Sequence, residues 1–118
     1  PQQVATKSFS ITVATAYNLS FYVQPTSTYV TRDIDPDIKV RVTDAQGKAV
    51  SGAKVTLSIA VNPGGAVLSG TLTATTGYDG VATFEYILVS KPGVGYKLLA
   101  STNLAGSGTA ISNAFNVK

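Results

Sequence analysis

The chain has 118 residues, only 13% of them charged, a net charge of +3, and no His, Cys, Met or Trp. Without His or Cys there is no Ser-His-Asp or Cys-His centre, no His/Cys zinc site and no disulfide framework. No apolar run approaches the ~20 residues of a membrane-spanning helix, and the nine basic residues are scattered instead of clustered along a phosphate-tracking stripe.

No segment keeps a 3.6-residue period over three turns, whereas period-2 alternation recurs along the chain. Phe9, Ile11 and Val13 alternate with Ser8, Ser10 and Thr12; Leu19, Phe21 and Val23 alternate with Ser20, Tyr22 and Gln24 and stop at Pro25. Ile38, Val40 and Val42 form the next apolar phase, with Lys39 and Arg41 on the solvated one. Asp44-Ala45-Gln46-Gly47 reads as a reverse turn whose aspartate caps backbone amides. Val55, Leu57, Ile59 and Val61 follow, then two short runs around Gly70 (67–68 and 72–76). Asp79-Gly80 supplies the positive-φ positions of a tight hairpin before Ala82, Phe84 and Tyr86, which share one face by alternation. Tyr96, Leu98 and Ala100 share another face, and Ile111, Phe115 and Val117 close the chain. About eight strands at 8–12-residue spacing predict an all-β sandwich. The Gly-rich turns at 62–65 and 106–108 open no helix, so neither reads as a phosphate cradle.

Arg32-Asp33-Ile34-Asp35-Pro36-Asp37-Ile38-Lys39 carries three of the six acidic residues. With Asp33 as first ligand of an EF-hand loop, Asp35, Asp37 and Asp44 take the third, fifth and twelfth positions, but β-branched Ile38 stands where the loop needs glycine. In an extended run, side chains two apart on one face are ~7 Å apart, too far to wrap one ion. Asp33, Asp35 and Asp37 therefore remain candidate calcium ligands only for a composite site at a sandwich end or a domain junction. Otherwise they form a polar lip that enters the next strand and discourages edge pairing.

The stretches VTDAQGKAVSGAKVTLSIA (42–60), GYDGVATFEY (77–86) and GVGYKLLAS (93–101), closed by SNAFNVK (112–118), resemble the bacterial Ig-like domains of the invasin and intimin group. The resemblance covers residues 18–118. It implies an immunoglobulin-like β-sandwich of about seven strands in Greek-key order and an extracellular, cell-surface setting. It also implies a spacer or adhesin role between neighbouring Ig-like domains, with no shared catalytic residues. Tyr96, two residues before Leu98, occupies the place of an Ig corner tyrosine, although the Ig disulfide and tryptophan are absent. VATKSFSITV (4–13) resembles the last strand of a different, cadherin-like repeat, so residues 1–17 are expected to be a terminal strand and linker added to the domain at 18–118. The chain opens on Pro-Gln-Gln without Met or a signal peptide and reads as a segment of a longer polypeptide.

Few residues offer chemistry. Glu85, the only glutamate, lies between Phe84 and Tyr86 at a solvated strand position, far in sequence from any second carboxylate of a glycosidase pair. A Lys–Asn isopeptide crosslink needs both partners inward; Lys39 and Lys54 are on polar phases, while Asn113 shares the phase of Ile111 and Phe115, leaving Lys7, Lys91 or Lys118. No enzyme, no nucleic-acid partner and no direct membrane insertion are expected. Of the tyrosines at 17, 22, 29, 78 and 86, Tyr22 and Tyr29 fall off the apolar phase and are the candidate contacts for a glycan or host surface protein. Two functions compete: a non-catalytic spacer of a large surface protein, and a ligand-binding module.

Overall fold

The computed structural model describes residues 17–104 and 106–118. The strand expected at 4–13 lies outside them. The described elements are all strands: β1 Tyr17–Val23, β2 Ile38–Asp44, β3 Lys54–Val61, β4 Leu68–Ser69, β5 Thr73–Thr75, β6 Val81–Phe84, β7 Leu88–Val89, β8 Gly93–Thr102, β9 Ala110–Ile111 and β10 Phe115–Val117. Tyr17, placed in the linker by the sequence reading, is the first residue of β1. Three pairs of short segments are halves of broken strands (β4 with β5, β6 with β7, β9 with β10), so the ten segments make seven strands.

One sheet has the order β1-β2-β6 and the other β10-β8-β3-β5, with β9 also on β8 and β4 paired to β7. Every ladder is antiparallel, and the non-sequential neighbours β2–β6 and β3–β8 give the Greek-key order. The inward phase of each run meets between the sheets: Val40, Val42, Val55, Leu57, Ala82, Phe84, Tyr96, Leu98, Phe115 and Val117 are all buried. Each such large apolar side chain contributes roughly 1.5–3 kcal/mol on leaving water, which is why period 2 predicts this fold so directly.

After Val23 the chain crosses between sheets. Pro25 is buried at the crossing, and Thr28 then bridges Val117 in parallel. The Thr28 N–H donates to the Asn116 carbonyl (3.0 Å), Lys118 N–H to the Thr28 carbonyl (3.0 Å), and Val30 N–H to the Lys118 carbonyl (2.9 Å). Pro25 lacks the N–H that a continued ladder would need, which helps the chain leave the first sheet there.

Two broken strands depart from simple alternation. Phe84 is buried, but Tyr86 is 67% exposed with φ of 58°, and Ile87 takes the inward place at 1% exposure. The shared face expected for Ala82, Phe84 and Tyr86 therefore ends at Phe84: an extra residue bulges outward and shifts the phase. The Thr71 N–H bonds the Glu85 carbonyl (3.0 Å) and the Ile34 N–H bonds the Ile87 carbonyl (2.9 Å), pinning the bulge on both sides. In the last strand Ile111 is exposed and Ser112 is buried at 4%. Asn113 is exposed as well, so it does not share the inward phase of Phe115. The cause is Ser112, whose Oγ accepts the Leu98 N–H (2.9 Å) and donates to the Asn113 carbonyl (2.9 Å), interrupting the ladder between β9 and β10.

Candidate functional site

Tyr96 is fully buried, and its hydroxyl donates to the Lys91 carbonyl at 2.8 Å. Its ring stacks on Phe115 with centroids 5.9 Å apart and planes at 28°. A Cβ at Gly64 would run into the Tyr96 hydroxyl and the Pro92 carbonyl, and one at Gly93 would lie 2.9 Å from the Tyr96 ring. Two loops thus close on this ring. Leu98, two residues on, is buried with its N–H on Ser112. Asp79 Oδ1 accepts the Val81 N–H (3.1 Å), while Gly80 has φ of 76° and passes its carbonyl to the Val42 N–H (2.8 Å). These four residues brace the frame, and because β5 pairs with β3 while β6 pairs with β2, Asp79-Gly80 turns the chain between the sheets and closes no hairpin.

The aspartates do not converge. Asp33 and Asp37 are half-buried and Asp35 is exposed; Asp44 Oδ1 is engaged by the Gln46 and Lys48 N–H groups, both at 2.9 Å. No three acidic side chains among the described residues come together as a metal site. The lip is tied down by threonine hydroxyls instead: Thr26 donates to the Asp35 carbonyl (3.0 Å) and Thr28 to the Arg32 carbonyl (3.0 Å). The residue sequence reading missed here is Ile34, which is 1% exposed and part of the core despite its charged neighbours. Asn113, Lys91 and Lys118 are all exposed, so the buried partners of an isopeptide crosslink are not assembled among them.

The tyrosines line shallow open grooves. Tyr29, 52% exposed, borders a groove of about 290 Å³ with Ser27, Thr28, Asn116 and Lys118, and a smaller one of about 180 Å³ that reaches Arg32, Asp33 and Asp35. Tyr22, 63% exposed, borders a groove of about 250 Å³ with Lys39, Arg41, Asp79 and Val81. Alternation places Lys39 and Arg41 on a solvated face, but only the pairing of β1 with β2 brings Tyr22 beside them.

A seven-stranded Greek-key sandwich with a buried corner tyrosine defines an immunoglobulin-like module. The chain belongs to the family described as a domain of unknown function (DUF7382), whose model matches residues 21–85. Among solved structures it is similar to the D0–D1 domain of intimin, at 24% identity and a TM-score of 0.54, over 88% of this chain and 48% of that one. The chain therefore spans about half the length of that structure, and the likeness is one of fold. It agrees with the intimin-type Ig-like sandwich expected from the sequence motifs. No curated protein matches the sequence. No helix among the described residues is long and apolar enough to cross a membrane.

Proposed function

We propose that the chain is a non-catalytic spacer of a large extracellular, cell-surface protein, linking neighbouring Ig-like domains and setting their separation. The observation that carries this reading is where the chain enters and leaves. Tyr17 pairs with Asp44 and bridges Ser107, which in turn accepts from Thr102 at the end of β8 (2.7 Å). Val117 pairs with Gly93 at the start of β8. Entry and exit thus lie at opposite ends of a ten-residue strand, about 30 Å apart at ~3.3 Å per residue. A module so threaded extends an array instead of folding it back. The resemblance to the invasin and intimin group supports the surface setting.

A module-swap separates this role from specific recognition. Replacing the chain in its parent protein by an unrelated sandwich of equal length should preserve adhesion, while deleting the module should shorten reach and weaken it. Loss of adhesion on the swap alone would contradict the spacer role. A second reading, recognition of a glycan or host protein through Tyr22 and Tyr29, is favoured by the grooves beside those rings.

A further inference from the structure

The outer face of the β1–β2–β6 sheet carries a charge arrangement that the fold does not need. Inward residues of these strands, Val40, Val42, Ala82 and Phe84, are fully buried. The alternate positions point outward. The ladders align Ser20 with Arg41 and Arg41 with Val81 in one row, and Lys39 with Thr83 in the next. The register slips between Phe21 and Val23, leaving Tyr22 unpaired at the irregularity beside Lys39. One tyrosine, two cations and a half-buried valine therefore border one groove of about 250 Å³.

We propose that this groove binds an acidic saccharide, one sugar carboxylate facing Lys39 and Arg41 while the pyranose ring lies against Tyr22. The inference rests on the second reading above and names its ligand class and site. The lining charges are Lys39 and Arg41 against the single carboxylate of Asp79, an excess of one positive charge. One oxygen of Asp79 is already engaged by the Val81 N–H (3.1 Å). Lys39 and Arg41 are two apart on one strand face, ~7 Å, so their heads can converge on one carboxylate. The Arg41 guanidinium matches a carboxylate with two parallel donors, and Lys39 adds a point charge. Tyr22 offers a flat apolar face to the C–H side of a sugar and a hydroxyl at its rim. The volume is below the roughly 300–1,000 Å³ of sites for drug-sized ligands and suits a single ring. Because the groove is open, that ring can belong to a longer chain lying across the sheet. A nucleic-acid backbone would need more than two cations in line, and the remaining basic residues are dispersed. The two grooves beside Tyr29 differ in kind, one offering a single cation, Lys118, and the other setting Arg32 against Asp33 and Asp35.

The test is titration of the purified 118-residue chain with sialyllactose, trigalacturonate, lactose and a short polyglutamate peptide, followed by calorimetry and amide chemical shifts. The acidic sugars should bind about tenfold more tightly than lactose, the loss of one charge-assisted bond. Shifts should concentrate at Ser20, Tyr22 and Thr83, and binding should weaken as salt is raised. Arg41→Gln and Tyr22→Ala, both at exposed positions, should each cost about tenfold, whereas Tyr29→Ala should leave binding unchanged. Equal binding of lactose, absence of binding by both acidic sugars, preference for polyglutamate, or indifference to Arg41→Gln each overturns the proposal. Acidic-sugar binding lost only on Tyr29→Ala overturns this site while leaving glycan recognition itself standing. The titrations read binding by the isolated chain and the module-swap reads adhesion by the whole parent, so failure of this site is distinguishable from failure of the spacer role.

Discussion

The Tyr96 hydroxyl reaches back five residues to the Lys91 carbonyl at 2.8 Å, from a ring with no solvent exposure. The bond ties the loop entering β8 to the core. Tyr96→Phe keeps the stack on Phe115 but leaves the carbonyl without this donor, so it should cost about 1–2 kcal/mol in urea unfolding. Gly64→Ala should cost at least as much, because its Cβ would meet both the hydroxyl and the Pro92 carbonyl. A neutral Tyr96→Phe would show that the loop is held by packing alone.

Tyr86 sits at φ 58° and is 67% exposed. A non-glycine residue there pays about 1 kcal/mol in backbone strain, which glycine avoids. Tyr86→Gly should therefore raise stability by roughly 0.5–1 kcal/mol, less the entropy glycine adds to the unfolded chain. A loss of stability would mean that the exposed ring makes contacts worth more than the strain.

Ile34, and not the aspartates around it, anchors the lip between the sheets. Ile34→Ala should cost about 2–4 kcal/mol, as for a buried aliphatic side chain, while Asp35→Asn should stay within about 0.5 kcal/mol. Calorimetry with calcium should show no tight binding; a dissociation constant below ~10 μM abolished by Asp35→Asn would reverse this.

The apolar alternation of Phe9, Ile11 and Val13 gives a further expectation. Seven strands lie between Tyr17 and Val117, so we propose that residues 1–16 are dispensable for the sandwich yet promote strand pairing between copies. Their removal should preserve cooperative melting and weaken self-association in sedimentation. Unfolding of the shortened chain would assign that segment to this domain.

The strands were legible because burial against one core imposes period 2, and Val40, Val42, Leu57 and Leu98 obey it without exception. The misread positions are those where a local device outweighs alternation. At Tyr86 a left-handed residue inserts a bulge, and at Ser112 a side-chain oxygen replaces a ladder acceptor. Neither leaves a local signature, since both depend on the partner strand. Ile34 hides for the opposite reason: its neighbours in sequence are charged, and its place beside Ile87, whose carbonyl accepts its N–H, is set by a contact distant in sequence. The Tyr22 groove was half-legible, its tyrosine and cations being visible but their juxtaposition set by the β1–β2 register.

Force applied between the two ends tests the spacer role most directly. The crossing segment and the last strand run parallel, joined by the three backbone bonds of Thr28, Val30 and Lys118. Two side-chain bonds add to them, Asn116 N–H to Ser27 Oγ (3.0 Å) and Asn113 N–H to Gln24 Oε1 (2.9 Å). Pulled apart through Tyr17 and Lys118, these bonds share the load in shear; pulled through Lys91 and Lys118, β10 peels from β8 one bond at a time. Single-molecule stretching should give a higher unfolding force for the first geometry, reduced by Thr28→Pro, which removes the donor to Asn116. Equal forces in the two geometries, or no effect of Thr28→Pro, would contradict a module built to carry tension along an array.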